Sequence, residues 1–576
     1  MNGFHNRSLR VNLTEQTWAA EHLSDEVLSR YLGGKGLGAH LLLENATPGV
    51  DPLAPQSPLV VTTGPATGTD LAPASRYALF AKSPLTGIFG ESYSGGHVAP
   101  KISSTAYDAI VIEGAADRPV YLEISDQGVK FGDAAPVWGM GLYEAQKALE
   151  ARIGVRGAKA IVIGPAGERC VPFAVVGNDE GHVAGRTGMG AMLGSKKVKG
   201  IVFHGNASRP LYDEQAIKAY DRDLRRRGKD DAGVLAYRAM GTPMMVAVLN
   251  TAGGFPSTYW SAGTVPHWEE ISAEAMAERF EMRSRTCHRC LIACRRVATV
   301  RQGRHEGLAL EGPEYETIFA FGGLCAVDDP AEILYLNDIC DRLGMDTMTA
   351  GNVAAFAIEA SRRGALDLGL DYGDVDGIAD LLRQIAKREG PGDLLAQGVR
   401  AASEALHLED LAVHVKGLEP AGYDPRVFKG MGLAYAVSDR GACHLRATVY
   451  KAELSGVADR NSVEGKAELL LDFEDRHTIF DTLIFCRFYR DLIGWDDLSH
   501  IVHGLTGLKL DKGGLQALSA RIADRIRQYN LREGMEPAED TLPRRFLDAP
   551  LEPSGETLSE AELQQMVQEY YALRGW

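Results

Sequence analysis

Cysteine is scarce in this chain, with eight in 576 residues. So few thiols in so long a polypeptide exclude a disulfide framework as the source of its stability. An excess of positive charge is also missing: 61 Lys and Arg stand against 77 Asp and Glu, a formal net charge of −16. Phosphate-backbone recognition needs a basic face, so nucleic acid is excluded as a partner of the chain as a whole, while local basic patches remain open. No uncharged apolar run is long enough to span a bilayer, so no membrane insertion is expected. The opening residues, MNGFHNRSLRVNLTEQTW, hold neither the apolar core of a signal peptide nor a twin-arginine leader, which makes the cytoplasm the expected location.

What is present is the composition of a globular protein, 45% hydrophobic and 24% charged. One core cannot serve this length, and about two to four domains are expected. The first two hundred residues alternate short β-branched runs with Gly and Pro turns: PLVVTTGPATG, RYALFAKSP, DAIVIEGAA, PVYLEIS, AKAIVIGPAG and KKVKGIVFHG. From Asp213 the period becomes helical, in DEQAIKAYDRDLRRRGKD, AEILYLNDICDRLG, GNVAAFAIEASRRG and VDGIADLLRQIAKREG, and it stays so to SEAELQQMVQEYYALRG near the end. The expected fold is α+β: a β-rich domain over 1–208, then helical domains over 209–416 and 417–576, the last boundary placed at KGLEPAGYDP. No internal repeat or low-complexity segment breaks this pattern.

Three of the eight cysteines fall within eight positions, Cys287, Cys290 and Cys294 in CHRCLIACRR. Thiolates suit both zinc and iron–sulfur clusters, and C-x2-C-x3-C does not separate the two. A zinc site would need a further ligand, with His305 the nearest histidine downstream; three core thiols are the remaining reading. The fourth ligand of a cluster would have to come from the scattered cysteines. Cys486, in FDTLIFCRFYRD, is favoured because arginines flank it and offset the negative charge of a thiolate-bound cluster.

CHRCLIAC, GPEYET, SPLTG and the SGG segment together resemble the aldehyde ferredoxin oxidoreductase family of tungsten enzymes. Matching blocks run along nearly the whole chain, from RYLGGKGLGAHLLLE and NDEGHVAGRTGMGAMLGSKKVKGIVF to DRLGMDTMTAGNV and YDPRVFKGMGLAYAVSDRGACHLRA. The resemblance implies a β-rich first domain holding a tungsten (or molybdenum) bis-pterin dithiolene, with two helical domains closing over it. No side chain is expected to ligate that metal. It implies a 4Fe–4S cluster on Cys287, Cys290, Cys294 and Cys486. Pterin or phosphate contacts would come from Arg76, Lys82, Ser92, Ser94, Gly95 and Gly96, and from Ala184, Gly185, Arg186, Gly188 and Gly190. Two D-x-x-G-like segments add Asp341, Gly344, Met345 and Asp346, and Asp481 with Phe485; the second has Ile484 where the pattern has glycine. GGKGLG near residue 35 is read as a close-packed turn. Glu316, then Glu314, and His444 are the candidate catalytic groups, a carboxylate to take a proton and an imidazole to polarise a carbonyl.

Two departures matter. The family's S-N-S-G-G reads Ser92-Tyr93-Ser94-Gly95-Gly96 here, without the asparagine that helps hold Mg²⁺, although Mg²⁺ is still expected. The E-x-x-H motif that bridges subunits through iron is absent, since Tyr335 follows Glu332; an oligomer would form without bridging iron. The E-x-x-H spacings at Glu404/His407 and Glu474/His477 are read as ordinary helix surfaces. The implied activity is oxidation of aldehydes to carboxylic acids, with the reverse reaction open to the same centre, and with electrons leaving through the cluster to ferredoxin or a small iron–sulfur subunit. The alternatives are a benzoyl-CoA reductase catalytic subunit and, in another class, a zinc-stabilised binding protein.

Overall fold

A computed structural model describes all 576 residues. Twelve strands precede residue 204: β1 (Arg7–Asn12), β2 (Thr17–His22), β3 (Leu59–Thr62), β4 (Tyr77–Lys82), β5 (Phe89–Ser94), β6 (Ala109–Glu113), β7 (Val120–Ser125), β8 (Gly128–Asp133), β9 (Lys159–Val162), β10 (Val176–Asn178), β11 (His182–Ala184) and β12 (Val198–Phe203). They form two six-stranded sheets, ordered β2-β1-β6-β3-β4-β5 and β11-β10-β9-β12-β7-β8. Each has one parallel pair, β1 with β6 and β7 with β12. All six residues of β4 are buried, because both of its faces are covered. Tyr77, Leu79 and Ala81 point into the core between the two sheets, while Ala78 and Phe80 point the other way. That is the period of two expected of a strand.

Helices dominate the rest, as expected, and their ends are chemically marked. Glu214–Lys229 starts on Asp213, whose side chain accepts the Ala216 N–H, and buries Ile217, Tyr220 and Leu224 along one stripe. Thr347–Arg362 is buried nearly all round and runs through the largest core. No single helix is long and apolar enough to cross a membrane.

Four features depart from the sequence reading. Residues 280–311 contain a three-stranded antiparallel sheet, β13 (Phe280–Arg285), β14 (Arg295–Val300) and β15 (Ala309–Glu311), within the region read as helical. GGKGLG is not a turn but the start of a helix, Gly34–Asn45. Its glycines are close-packed all the same: a Cβ on Gly34 would lie 2.0 Å from the Asp481 carbonyl oxygen. His477 is fully buried, not on a helix surface, while Glu474 beside it pairs with Arg574 at 2.5 Å. Finally, the cores cut across the boundary near residue 417. Residues 479–529 share a core with the first sheet and with 217–237, whereas 418–470 and 542–570 pack with the 246–413 region.

Candidate metal centre and active site

Cys287, Cys290 and Cys294 lie in the connection between β13 and β14, which holds Arg289 and Ala293 in left-handed backbone, φ 56° each. Cys486 stands just beyond the helix Lys466–Leu483 and donates its N–H to the Pro73 carbonyl at 3.0 Å. Tyr489, one turn further on, links the two segments: it accepts the Leu291 N–H at 2.9 Å and its hydroxyl donates to Cys290 Sγ at 3.4 Å. Burial pushes the Cys287 thiol up to about 11, and the neighbouring Cys290 and Cys486 push the same way against Arg295. Cys294 is raised by burial together with Glu314 and the other three thiols. Four thiols that act on one another's charge need a cation to ionise together. No three His, Cys, Asp or Glu side chains stand at the spacing of a single metal ion. A donor set made only of thiols is one that iron–sulfur clusters take. His305, the zinc candidate, lies elsewhere, 2.8 Å from Glu332 and stacked on Tyr335.

Beside the thiols lies a buried, strongly charged network. Arg76 helps ionise Cys486 and covers the Tyr93 ring, its guanidinium carbon 5.1 Å from the centroid. Arg446 approaches that ring at 5.3 Å and pairs with Asp481 at 2.8 Å and with Glu91. Arg487 pairs with Asp481 at 2.5 Å, and Arg440 donates to the Glu91 carbonyl at 2.6 Å. Burial alone would raise the Glu91 carboxyl, but Arg446, Lys35 and Arg440 outweigh it and hold the group low. Even so, Arg440, Arg446, Arg487 and Arg490 each retain a buried nitrogen without a hydrogen-bond partner. Unpaired buried guanidinium donors are costly. Converging here in an acidic protein, they fit the phosphates and ring acceptors of a pterin cofactor.

The two D-x-x-G-like segments are the same structure twice. Each closes a helix, Pro330–Leu343 or Lys466–Leu483, on a left-handed residue, Gly344 (φ 81°) or Ile484 (φ 63°). In each the next N–H reaches back five residues, Met345 to Cys340 at 2.9 Å and Phe485 to Phe480 at 2.7 Å. The first turn lies along the first domain: Val175 N–H donates to the Gly344 carbonyl at 2.9 Å, and Asp346 N–H to that of Phe173 at 3.1 Å. Asp341 accepts from the Tyr143 hydroxyl at 2.9 Å, and burial raises its carboxyl to about 7. The second turn sits on Gly34 and Gly64, against which Ile484 packs.

Several expected contacts are committed within the protein. Lys82 pairs with Glu533 at 2.8 Å. Arg186 ties three regions together, through Asp346 at 3.0 Å, the Glu419 carbonyl at 2.8 Å and the Ala442 carbonyl at 3.3 Å. A Cβ on Gly188 or Gly190 would strike the Pro172 or Val175 carbonyl, at 2.1 and 2.4 Å, so packing already demands glycine there; Gly185 and Ala184 carry no such conflict. Ser92 accepts the Arg186 N–H at 3.2 Å, Ser94 donates to Asn178 at 2.8 Å, and the Tyr93 hydroxyl donates to Glu91 at 2.6 Å. Gly95 and Gly96 instead meet the cysteine hairpin: the Gly96 carbonyl accepts the His288 N–H at 3.0 Å, and a Cβ on Gly95 would lie 3.2 Å from Cys287 Sγ.

The candidate catalytic groups separate by position. Glu316 Oε1 lies 3.4 Å from His444 Nε2; the two side chains keep 17 and 13% of their surface accessible although protein surrounds them, so that surface lines an interior space. Burial raises Glu316 to about 7, opposed by the Gly422 N–H that donates to Oε2 at 3.0 Å and by Arg186. Burial, with Arg186, Arg440, Arg446 and Arg490 adding to it, holds His444 neutral. Glu314 points elsewhere, pairing with Thr242 and standing near Cys294. Cys443, read in the sequence only as a scattered thiol, accepts from Arg440 at 2.9 Å; burial would raise it, but Arg440 and Arg446 hold it below its ordinary range. Sequence reasoning passed over Lys35, Glu91, Arg440 and Arg446, and used Arg487 and Arg490 only as charges flanking Cys486. The signal for Arg440 and Arg446 was their placement in SDRGACHLR, beside His444, and for Glu91 its place next to Ser92.

The fold thus brings four cysteines together beside a buried, arginine-rich charged network. Comparison with known proteins makes this specific. The family model for the N-terminal domain of aldehyde ferredoxin oxidoreductase matches residues 8–205, and that for its domains 2 and 3 matches residues 219–576. The chain is 35% identical to a tungsten-containing aldehyde ferredoxin oxidoreductase of Pyrococcus furiosus, over 100% of this chain and 97% of that one. The one from Thermococcus kodakarensis is 34% identical at the same coverage. The WOR-like subunit of an aliphatic sulfonate oxidoreductase of Pyrococcus furiosus is 32% identical over 77% of this chain and 75% of its own. Among solved structures, the active-site complex BamBC of benzoyl-coenzyme A reductase, in complex with 1,5-dienoyl-CoA, superposes with a TM-score of 0.87 at 20% identity. It covers 100% of this chain and 95% of that one, and shows a shared fold. The chain belongs to the aldehyde ferredoxin oxidoreductase family. It is a tungsten-dependent oxidoreductase, and the family implies a tungsten–pterin cofactor.

Proposed function

We propose that this enzyme oxidises aldehydes to carboxylic acids and passes the electrons, through a 4Fe–4S cluster on Cys287, Cys290, Cys294 and Cys486, to ferredoxin or a small iron–sulfur partner. The observation that carries the reading is Glu316 facing His444 at 3.4 Å, near enough to Arg440, Arg446 and Arg490, each with an unpaired donor, for them to act on the charge of His444. When bound, the tungsten–pterin group supplies two-electron redox chemistry and the cluster one-electron transfer. Arg76, Arg440, Arg446, Arg487 and Arg490 would hold the pterin phosphates and rings, with the turns at Asp341–Asp346 and Asp481–Phe485 as flanking contacts.

Glu316 accepts the proton that water or an aldehyde hydrate releases on oxidation. A carboxyl near 7 suits this task, being ionised in half the molecules at neutral pH and a strong enough base when it is. His444 stays neutral and so has one N–H to place. Its Nδ1 has no protein partner and, in the tautomer that carries the proton there, can donate to a carbonyl oxygen. Glu314, beside Cys294, is a neighbour of the cluster and not of the substrate. Only four cysteines serve the cluster, so a long electron wire must lie in a partner.

The test is a viologen-dye assay of aldehydes against benzoyl-CoA. Turnover of aldehydes is expected; turnover of the thioester alone would overturn the proposal in favour of aromatic acyl-CoA reduction.

A further inference from the structure

His182 is the one histidine placed against the thiol group. It opens β11, 4% exposed, and its Nε2 lies 3.3 Å from Cys287 Sγ. Gly95 backs both side chains: a Cβ there would sit 3.2 Å from Cys287 Sγ and 3.4 Å from the imidazole Cδ2. A metal-bound thiolate can only accept, so the proton of this imidazole belongs on Nε2. On its far side Nδ1 has no hydrogen-bond partner; the Glu311 carboxylate, which pairs with Arg295, is 3.9 Å away. Beyond it opens a wholly polar surface cavity of about 520 Å³, lined by His97, Lys147, Lys159, Arg285 and Glu311 among others.

We infer that His182 is a positioning residue that donates a hydrogen bond to Cys287 and thereby sets the reduction potential of the cluster this cysteine helps to hold. This rests on the proposed 4Fe–4S site. Adding one electron to a cluster raises the negative charge on its sulfurs, and an N–H aimed at a ligating sulfur stabilises that charge. The reduced form is therefore favoured by His182.

The experiment is potentiometric titration of the cluster, followed by its electron paramagnetic resonance signal, in the anaerobically prepared holoenzyme and in His182→Leu and His182→Gln. Iron content is measured alongside. Full iron in His182→Leu with a midpoint shifted downward, by the equivalent of about tenfold in the reduction equilibrium (~59 mV for one electron), is the expected result. His182→Gln, which keeps an N–H of similar reach, should recover most of that shift. An unmoved midpoint in His182→Leu overturns the inference, as does loss of its iron, which would mark the imidazole as structural. Failure of the underlying reading is distinguishable, because the unaltered protein would then lack four irons per chain.

Discussion

At residue scale the chemistry turns on one carboxyl. Glu316 is raised chiefly by burial, so it protonates near neutrality where an exposed glutamate would be ionised. Activity should therefore rise with pH through about 7 as the base form appears. Glu316→Gln should abolish that limb and lower kcat by about 10²–10⁴-fold, whereas Glu314→Gln should leave the limb in place; a kcat–pH profile of each variant checks both. Stability runs the other way. The folded chain binds this proton more tightly than the unfolded chain, so stability is fullest below the ordinary carboxylate range and is lost as pH rises to about 7. Glu316→Gln should flatten that part of a denaturation profile taken across pH. The sequence showed Glu316 and His444 only through a family pattern, because nothing in GPEYET or GACHLR says which carboxylate of the pair is turned inward. Glu91 and the arginines were harder still. Their meaning lies in convergence from β5, from SDRGACHLR and from CRFYR, and no local spacing encodes that.

At the scale of elements, short turns do the work. The cysteine hairpin is held by the first domain at Gly96, by Tyr489 from the distant Cys486 turn, and by its own left-handed residues. Cys486→Ala should cost the enzyme its cluster, whereas Cys170→Ala, on the far-off turn after Pro165–Glu168, should keep it; iron analysis of the two purified variants decides. The turn at Ile484 shows why a departure from pattern is tolerated. A β-branched residue at φ 63° is strained, but its side chain fills the floor made by Gly34 and Gly64, which glycine could not. The floor is intolerant in turn. Gly34→Ala would put a methyl 2.0 Å from the Asp481 carbonyl, and overpacking of this kind costs about 1–3 kcal/mol before the strain of φ 43° is added. A urea melt should show the loss. The strands and long helices were readable from period and β-branching, while the 280–311 sheet was not. Its strands, FEMRSR and RRVATV, are charge-rich and partly exposed, and their apolar alternation is only two residues long, Phe280 and Met282 against Ala298 and Val300.

At the scale of the molecule, contiguous sequence and contiguous core differ. Residues 479–529 leave the last third of the chain to pack on the first sheet, and they carry Asp481, Cys486, Arg487 and Arg490 to the centre with them. The centre is therefore assembled from all three regions of the chain, and Arg186 spans them. Composition and spacing could suggest a metal site, but not this assembly, because long-range docking leaves no local mark. We propose that a tungsten–pterin site and a four-thiol iron–sulfur site stand side by side in this fold. Metal analysis of active, anaerobically prepared protein tests it most directly: four irons and one tungsten or molybdenum per chain are the predicted result, and a colourless protein holding a single zinc, or one with neither tungsten nor molybdenum, would contradict it.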